Sequence, residues 1–283
     1  MASSPEALVR GAKTVSSLPT TFTQLNTAVE DPRSSNRDIA GIISDDAGLS
    51  ARLLRMVNSA LYAFPSKIST ISRAVTVVGT KQLRDLALAT SVLDMFRDVP
   101  SDQVNMESFW KHNIACGVTA RVLATMRRDP NAEEYFVSGL LHDIGRLLMF
   151  TEAPELAAQA FGKARESQTL LYKNEQEVFG FDHAAVGAVL LKQWQLPAQI
   201  VAAVGYHHRP SANRDHPIHA AITHVADLIV NAQQIGTSGE VFTPPLDVDA
   251  WKKLGLQENM LSAIIKQANR QIDDAAPLLL EAA

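Results

Sequence analysis

Apolar residues recur every three or four positions along most of the chain. Residues 20–30, for example, place Phe22, Leu25 and Val29 at this spacing, and residues 71–78 form a compact apolar run. Such spacing is typical of helices that bury one face. No alternating apolar and polar pattern is long enough for a strand, and no repeat is evident. The pattern therefore predicts an all-α protein.

The same periodicity sets the predicted elements. A capped segment is expected around residues 39–43, a loop over 63–69, and one strongly apolar helix over 137–150 with His142 and Asp143 in its middle. Proline, glycine and Asp-Pro steps end the individual runs. The remaining predicted helices cover residues 20–30, 49–59, 71–78, 81–96, 107–126, 153–163, 170–179, 183–194, 197–206, 217–233, 248–254 and 258–271.

Breaks between the helical runs predict four regions. We expect a flexible leader over residues 1–14, an N-terminal helical subdomain over 15–97, a second helical block over 105–235, and a helical extension over 236–283. The two central blocks are expected to pack as one helical unit. Asn58, Ser59 and Ala60 end a helix, where the Asn and Ser side chains can hydrogen-bond the local backbone, so a structural role without catalysis is predicted for the three residues.

Composition narrows the class of protein. With 46% hydrophobic and 20% charged residues, the 283-residue chain can bury a full core. Its net charge of −4 gives no overall attraction to nucleic acid or anionic membranes. The apolar runs are too short for a membrane span, and the N-terminus lacks a secretory signal, so a cytoplasmic protein is expected. Because Cys116 is the sole cysteine, a disulfide is excluded and no thiolate zinc site is expected.

Histidines and aspartates at apolar positions carry the candidate chemistry. His142 and Asp143 interrupt the run GLLHDIGRLLMF, where ionisable groups are costly unless they are paired or bind a metal. Taken alone, this pair fits a buried histidine bonded to an aspartate, and His207-His208 fits a solvated turn. Together with the other members, they form a set that divalent iron, manganese, zinc or nickel accepts. The set is His112, His142, Asp143, His183, His207, His208 and Asp227.

Other polar residues receive structural interpretations. His216, His219 and His224 are interpreted as a polar helix start and surface positions, and Cys116 as a packed thiol. No phosphate-binding glycine loop or serine nucleophile motif is present. A small basic spot around Arg121 fits a solvated helix face better than a nucleic-acid surface.

The run GLLHDIGRL resembles the HD superfamily of metal-dependent phosphohydrolases. The upstream segments resemble the related HDOD (HD-related output domain) family of bacterial signalling proteins. They include IISDDAGLSARLLRMVNSALYAFPSKISTISRAVTVVGTKQLRDLAL, FWKHNIACGVTARVLA and HAAVGAVLLKQWQLPAQIVAAVGYHH. The resemblance covers about residues 15–235. It implies an HD-domain, phosphodiesterase-like helical bundle with an N-terminal helical subdomain.

The resemblance also implies a ligand set, because relatives with an HD-GYP motif bind two or three metal ions. Matched motif by motif, all seven positions of the set above are present here, whereas many HDOD members are expected to lack several. We therefore hypothesise a two-ion centre that Asp143 bridges, with iron or manganese favoured and zinc or nickel as alternatives. His112, His142 and Asp227 would face one ion, and His183, His207 and His208 the other.

Two departures from the related motif bear on activity. Arg146 stands where the lysine of HDIGK is usual, which changes hydrogen-bonding geometry. After His208 the chain continues with Arg209-Pro210-Ser211, so the GYP triplet and the loop associated with cyclic dinucleotides are missing. Hydrolysis of cyclic di-GMP is therefore not expected.

Two functions from different classes follow. The first is a signal-transduction module that binds a signalling protein partner and holds a structural, sensory or vestigial metal site. It would act as a stand-alone domain or through a separate partner. The second is a phosphohydrolase, in which a hydroxide bound at Asp143 attacks a phosphate ester of a nucleotide or other small molecule and Arg146 steadies the anion. The sequence favours the first and leaves the second open.

Overall fold

The computed structural model describes residues 4–12, 17–96, 99 and 103–281. These residues form helices joined by short loops and contain no strand. The predicted all-α, HD-like fold class is confirmed.

The helices are numbered in chain order. Two short 3₁₀ helices, Pro210–Ala212 and Glu258–Met260, accompany the α-helices. The α-helices are α1 (Pro5–Gly11), α2 (Thr20–Glu30), α3 (Asn36–Ser44), α4 (Ala47–Val57), α5 (Ile71–Val78), α6 (Thr80–Met95), α7 (Met106–Met126), α8 (Ala132–Leu141), α9 (Ile144–Glu152), α10 (Pro154–Ser167), α11 (Leu171–Phe179), α12 (His183–Gln193), α13 (Ala198–Tyr206), α14 (Pro217–Ala232), α15 (Val248–Leu254) and α16 (Leu261–Leu280).

Side-chain caps begin several of these helices. Ser35 and Asp38 form a reciprocal capping box at α3, the Thr70 hydroxyl caps α5, and Asp182 accepts from the Ala185 amide at the start of α12. Each cap satisfies amide groups that a helix leaves without an internal partner. Asp182 thereby fixes the helix start at which His183 stands.

The single helix predicted over residues 137–150 is wrong. The chain forms α8 and α9, with His142 and Asp143 in the turn between them. The His142 side chain explains the break: its Nδ1 lies 2.7 Å from the Gly139 carbonyl oxygen, which a continuous helix would use for the Asp143 amide. The two ionisable residues therefore stand at a junction.

The N-terminal region also differs from the flexible leader expected over residues 1–14. Residues 5–11 form α1, which the Ser4 hydroxyl caps and which packs against α9 and α12. Leu8 and Val9 are buried there, so apolar contact offsets the cost of ordering a short helix. Residues 1–3 and 13–14 of the expected leader lie outside the described residues.

The chain divides into two compact units. The N-terminal unit comprises Leu18–Arg97 with Asn269–Ala283, and the site unit comprises Met1–Ser17 with Asp98–Ala268. In the N-terminal unit, α6 packs against α2, α4 and α5 and is buried at every position from Leu83 to Leu93.

The site unit is built around α7 and α14. Helix α7 packs against α8 and α14, while α12 packs against α9 and α13. Helix α13 also contacts α8 and α14, so each helix that carries or precedes a predicted ligand packs against at least one other such helix. Among the described helices, none combines the length and the apolar character needed to cross a membrane.

Asn58 fastens the loop that follows α4. Its amide nitrogen donates to the carbonyl oxygens of Leu54 and Ile68, and its oxygen accepts from the Ile68 amide. The Ser59 hydroxyl donates to the Met56 carbonyl oxygen, 2.7 Å away. The local bonding predicted for these residues is confirmed.

We expect Asn58→Ala to lower the free energy of unfolding by about 1–2 kcal/mol, because it removes hydrogen bonds across the loop. Chemical denaturation monitored by circular dichroism measures the change. Asn36→Ala, which alters an exposed asparagine at the start of α3, is the matched control and should change stability by less than about 0.5 kcal/mol. Equal stability of the two variants would contradict the structural role of Asn58.

Candidate metal centre

Helices α7, α12, α13 and α14 and the α8–α9 turn bring the seven predicted residues together in the site unit. His112 lies on α7, His142 and Asp143 in the turn, and Asp227 on α14. His183 begins α12, and His207-His208 follows α13. Six of the seven are at most 4% exposed, and His208 is half-buried. The seven residues predicted from the sequence therefore form a buried polar cluster.

A close helix crossing sets the depth of the cluster. A Cβ atom at Gly145 would stand 2.1 Å from the His183 carbonyl oxygen and 2.7 Å from the Gly187 amide. Only glycine allows α9 and α12 to approach this closely. The crossing brings the start of α12 next to the α8–α9 turn, and so places His183 beside Asp143.

A first donor group comprises His112, Cys116, His142 and Asp227, whose ligand atoms all lie within 4.8 Å of one another. His112 Nε2 lies 3.2 Å and His142 Nε2 lies 3.4 Å from Asp227 Oδ1. The Cys116 Sγ lies 3.6 Å from His112 Nε2. Three of these four residues are those that the sequence assigned to one ion.

A second donor group comprises His183, His207 and His208. The Nε2 atoms of His207 and His208 lie 3.2 Å and 3.1 Å from that of His183. The ring of His208 stacks on Tyr172 with 4.0 Å between centroids. These are the three histidines that the sequence assigned to the other ion.

Asp143 stands between the two groups. Its Oδ2 lies 3.2 Å from His142 Nε2, whereas its Oδ1 lies 2.7 Å from His183 Nε2. The Oδ1 atom is also 3.8 Å from His207 Nε2. The carboxylate thus turns one oxygen toward each group, as a bridging ligand does.

Backbone and side-chain acceptors orient three of the imidazoles. His142 Nδ1 lies 2.7 Å from the Gly139 carbonyl oxygen, and His207 Nδ1 lies 2.7 Å from that of Val204. His183 Nδ1 lies 2.5 Å from Glu175 Oε2. With Nδ1 as the donor, each ring directs the Nε2 lone pair into the cluster, which is the usual arrangement of metal-binding histidines.

The structure adds residues that the sequence analysis missed. Glu175 on α11 accepts from the His183 backbone and contacts its ring, and Asn231 donates to Asp227 Oδ1 at 2.6 Å. Only the i, i+4 spacing of Asp227 and Asn231 offered a local signal, since Glu175 lies on a separate helix.

The surface position expected for His224 is wrong. Its side chain is buried, with Nδ1 2.7 Å from the His207 carbonyl oxygen and Nε2 accepting from the Asp247 amide. It therefore holds the backbone of a cluster residue. His216 and His219 are half-buried, and the ring of His219 stacks on Tyr135.

Arg146 points into the protein. Its Nε donates to Glu175 Oε1 at 3.0 Å, and one terminal nitrogen donates to Asp143 Oδ2 at 3.3 Å and to the Ser238 hydroxyl at 2.6 Å. The side chain is 1% exposed. In this arrangement the guanidinium offsets one of the carboxylate charges of the cluster, and its hydrogen bonds are made to protein groups.

A covering loop, residues 234–242, packs over this part of the cluster. Its Gly236 has a φ of +65°, and a Cβ there would meet the Ser108 carbonyl oxygen and the His112 amide. Ser238 binds Arg146, and Glu240 accepts from the Leu171 amide. The loop is thus fastened to α7, α9 and α11.

Buried carboxylates control the charge of the histidines. Burial alone would lower the pKa of His142, but Asp143 and Asp227 outweigh it and raise the pKa to about 10. Burial and Arg146 act against protonation of His183, yet Glu175 and Asp143 raise its pKa to about 9. The cluster therefore attracts positive charge strongly.

A count of formal charges shows how much positive charge the cluster needs. Before any histidine is protonated, Asp143, Asp227 and Glu175 contribute three negative charges and Arg146 contributes one positive charge, an excess of two negative charges. Unbalanced charge is costly in a buried site. Protons on His142 and His183 or bound cations can supply the balance.

The donor set fits transition-metal ions. Donors that share an ion at about 2.1 Å lie about 3.0–3.4 Å apart, close to the separations within each group. Within the described part of the chain, His142 Nε2 and Asp143 Oδ1 have no hydrogen-bond partner of good geometry although both are buried. Nitrogen lone pairs facing each other at 3.1–3.2 Å around His183 also need a cation or proton between them.

The helical bundle and the His and Asp donors that it encloses define an HD-like protein. Comparison with known proteins identifies its family. The HDOD domain family matches residues 15–210. The chain belongs to this family. Asp227 lies beyond the matched range and joins the cluster through α14.

Individual relatives are distant. An uncharacterised protein of Treponema pallidum is 26% identical over 192 residues, which are 68% of this chain but 37% of that protein. The chain thus spans little more than a third of that relative. The crystal structure of an HDOD domain protein of unknown function from Geobacter sulfurreducens is 25% identical, with a TM-score of 0.69 over 89% of this chain and 82% of that one.

A further structure supports the fold alone. It comes from Shewanella amazonensis and is named as a candidate metal-dependent phosphohydrolase. It is 22% identical to this chain, with a TM-score of 0.67 over 98% of this chain and 99% of that one.

Proposed function

We propose that this protein is a signal-transduction module whose fold is held by a buried two-ion transition-metal centre and whose surface binds a signalling protein. Asp143 would bridge the ions. His112, His142 and Asp227 would hold one ion, and His183, His207 and His208 the other. Iron or manganese suits this imidazole-rich set, with zinc or nickel as alternatives.

The observation that carries the proposal is the burial of the cluster beneath a fastened loop. Arg146 donates hydrogen bonds to Glu175, Asp143 and Ser238. It is the one cation in direct contact with Asp143 among the described arginines and lysines. A phosphate ester needs both access to the ions and a free cation to steady its charge. Here the loop and the inward guanidinium favour a structural or sensory centre.

Metal binding would couple several helices at once. The donors come from α7, the α8–α9 turn, α12, the end of α13 and α14, which are far apart in sequence. Ions that bind such donors only in the folded state stabilise that state. Loss or exchange of the ions would then change the stability of the whole site unit, which is how a sensor could work.

A second candidate, a metal-dependent phosphohydrolase, is favoured by the position of Asp143. When bound, two ions sharing a carboxylate supply Lewis acidity and lower the pKa of a water between them. Of the chain's own residues, Asp143 would orient that water and Arg146 would hold Asp143 in place. Phosphate access would require the covering loop to move.

The partner surface is proposed at residues 241–248, directly after Glu240 of the covering loop. Four of the five exposed large apolar side chains in the described chain lie there: Val241, Phe242, Leu246 and Val248. A concentration of exposed apolar residues marks interaction sites. A partner bound there would act on the loop fastened to Arg146.

Metal analysis tests the centre. We expect wild-type protein, reconstituted anaerobically with iron or manganese, to hold two ions per chain, and Asp143→Asn to lose most of both because it removes the shared ligand. Asp182→Asn, a buried aspartate that caps α12 and that asparagine can replace as a cap, is the matched control and should keep both ions. Plasma mass spectrometry after desalting measures the content. Equal metal in wild type and Asp143→Asn would contradict the bridge.

A hydrolysis assay separates the two candidates. We expect metal-loaded wild type to hydrolyse bis(p-nitrophenyl) phosphate no faster than loaded Asp143→Asn or free metal, because the cluster is covered. Hydrolysis by wild type that disappears in Asp143→Asn but persists in Asp182→Asn would establish the phosphohydrolase instead.

Site-specific crosslinking tests the partner surface. A photoreactive residue at Phe242 should capture one discrete protein partner in cells, whereas the same residue at the exposed Gln159 of α10 should not. A captured protein is accepted only if Val248→Asp weakens its binding to purified protein by at least about tenfold, a change of about 1.4 kcal/mol. Unchanged binding would remove this surface from the proposal.

A further inference from the structure

We propose that the Cys116 thiolate is a fourth ligand of the ion held by His112, His142 and Asp227. The inference rests on the proposed metal centre and deepens it. It gives this ion a His₂-Cys-Asp set, with one sulfur donor, while the second ion keeps nitrogen and oxygen donors. The expectation that no thiolate takes part in a metal site is thereby revised.

Helical spacing places the thiol among the donors. Cys116 stands one turn after His112 on α7, so both side chains lie on the same helix face. Its Sγ lies 3.6 Å from His112 Nε2 and 4.0 Å from Asp227 Oδ1. A sulfur at about 2.3 Å and a nitrogen at about 2.1 Å from one tetrahedral ion are about 3.6 Å apart.

A second observation points to a ligand at the same place. The Nε2 atom of His142 belongs to this group, is fully buried, and has no hydrogen-bond partner of good geometry within the described residues. A buried nitrogen that faces a thiol, an imidazole and a carboxylate without a partner marks the space that an ion fills.

Burial and the nearby carboxylates of Asp227 and Asp143 raise the pKa of the free Cys116 thiol well above its usual range, so the thiolate forms only when a cation binds beside it. Coordination forms the sulfur–metal bond and breaks the S–H bond, and the proton leaves to the buffer. A bound cation suffices for this exchange.

Cobalt(II) spectroscopy tests the inference, because Cys116 is the only cysteine and any thiolate signal must come from it. The full chain is freed of metal and titrated with cobalt(II). We expect a sulfur-to-cobalt charge-transfer band in the near ultraviolet beside the visible ligand-field bands. In Cys116→Ala the charge-transfer band should vanish and the affinity for the first cobalt ion should fall by at least about tenfold.

Controls separate the possible outcomes. Thr119→Ala, which shortens another buried side chain of α7, should keep the band. Cobalt binding by wild type without the charge-transfer band would overturn the role of Cys116 and leave the metal centre standing. No cobalt binding by wild type would overturn both. The wild-type spectrum decides even if Cys116→Ala fails to fold, and Cys116→Ser gives a second, milder variant.

Discussion

Three buried carboxylates surrounded by imidazoles impose the main constraint on this structure. Asp143, Asp227 and Glu175 lie where the donor-bearing helices meet α11, and Arg146 balances only one of their charges. Positive charge must therefore be present at this point, as protons on histidines or as bound ions. The Asp182 cap, the close crossing of α9 and α12 and the covering loop hold donors around that charge.

This need for positive charge explains how one cluster can both stabilise the fold and bind metal ions. Each ion would bind donors from several helices, so metal occupancy and folding of the site unit are linked. Arg146 also connects several parts of the site: it binds Asp143, Glu175 and, through Ser238, the covering loop. A movement of the covering loop would therefore act, through Arg146, on the Asp143 carboxylate, which faces both donor groups. Membership of the HDOD family supplies the fold, and these contacts supply the argument for function.

Local patterns predicted much of this arrangement. The predicted helix at Ile71–Val78 matches the structure because its apolar run ends at Gly79, and the structure adds the Thr70 cap at its start. The seven ligand candidates were found because polar residues stand out in apolar helices. The break at His142 was missed because it depends on a side chain taking the Gly139 carbonyl oxygen. Glu175 was missed because only tertiary packing brings α11 to His183, and spacing alone could not show that Cys116 faces Asp227.

Anomalous diffraction from crystals of the metal-loaded protein tests whether two ions occupy the cluster. Data collected on either side of the absorption edge of the bound metal locate each ion without reference to activity. We expect two anomalous peaks, one on each side of the Asp143 carboxylate, the first among His112, His142 and Asp227 and the second among the three remaining histidines. A cluster that shows no peak, with His142 and His183 bonded only to carboxylates, would contradict this expectation.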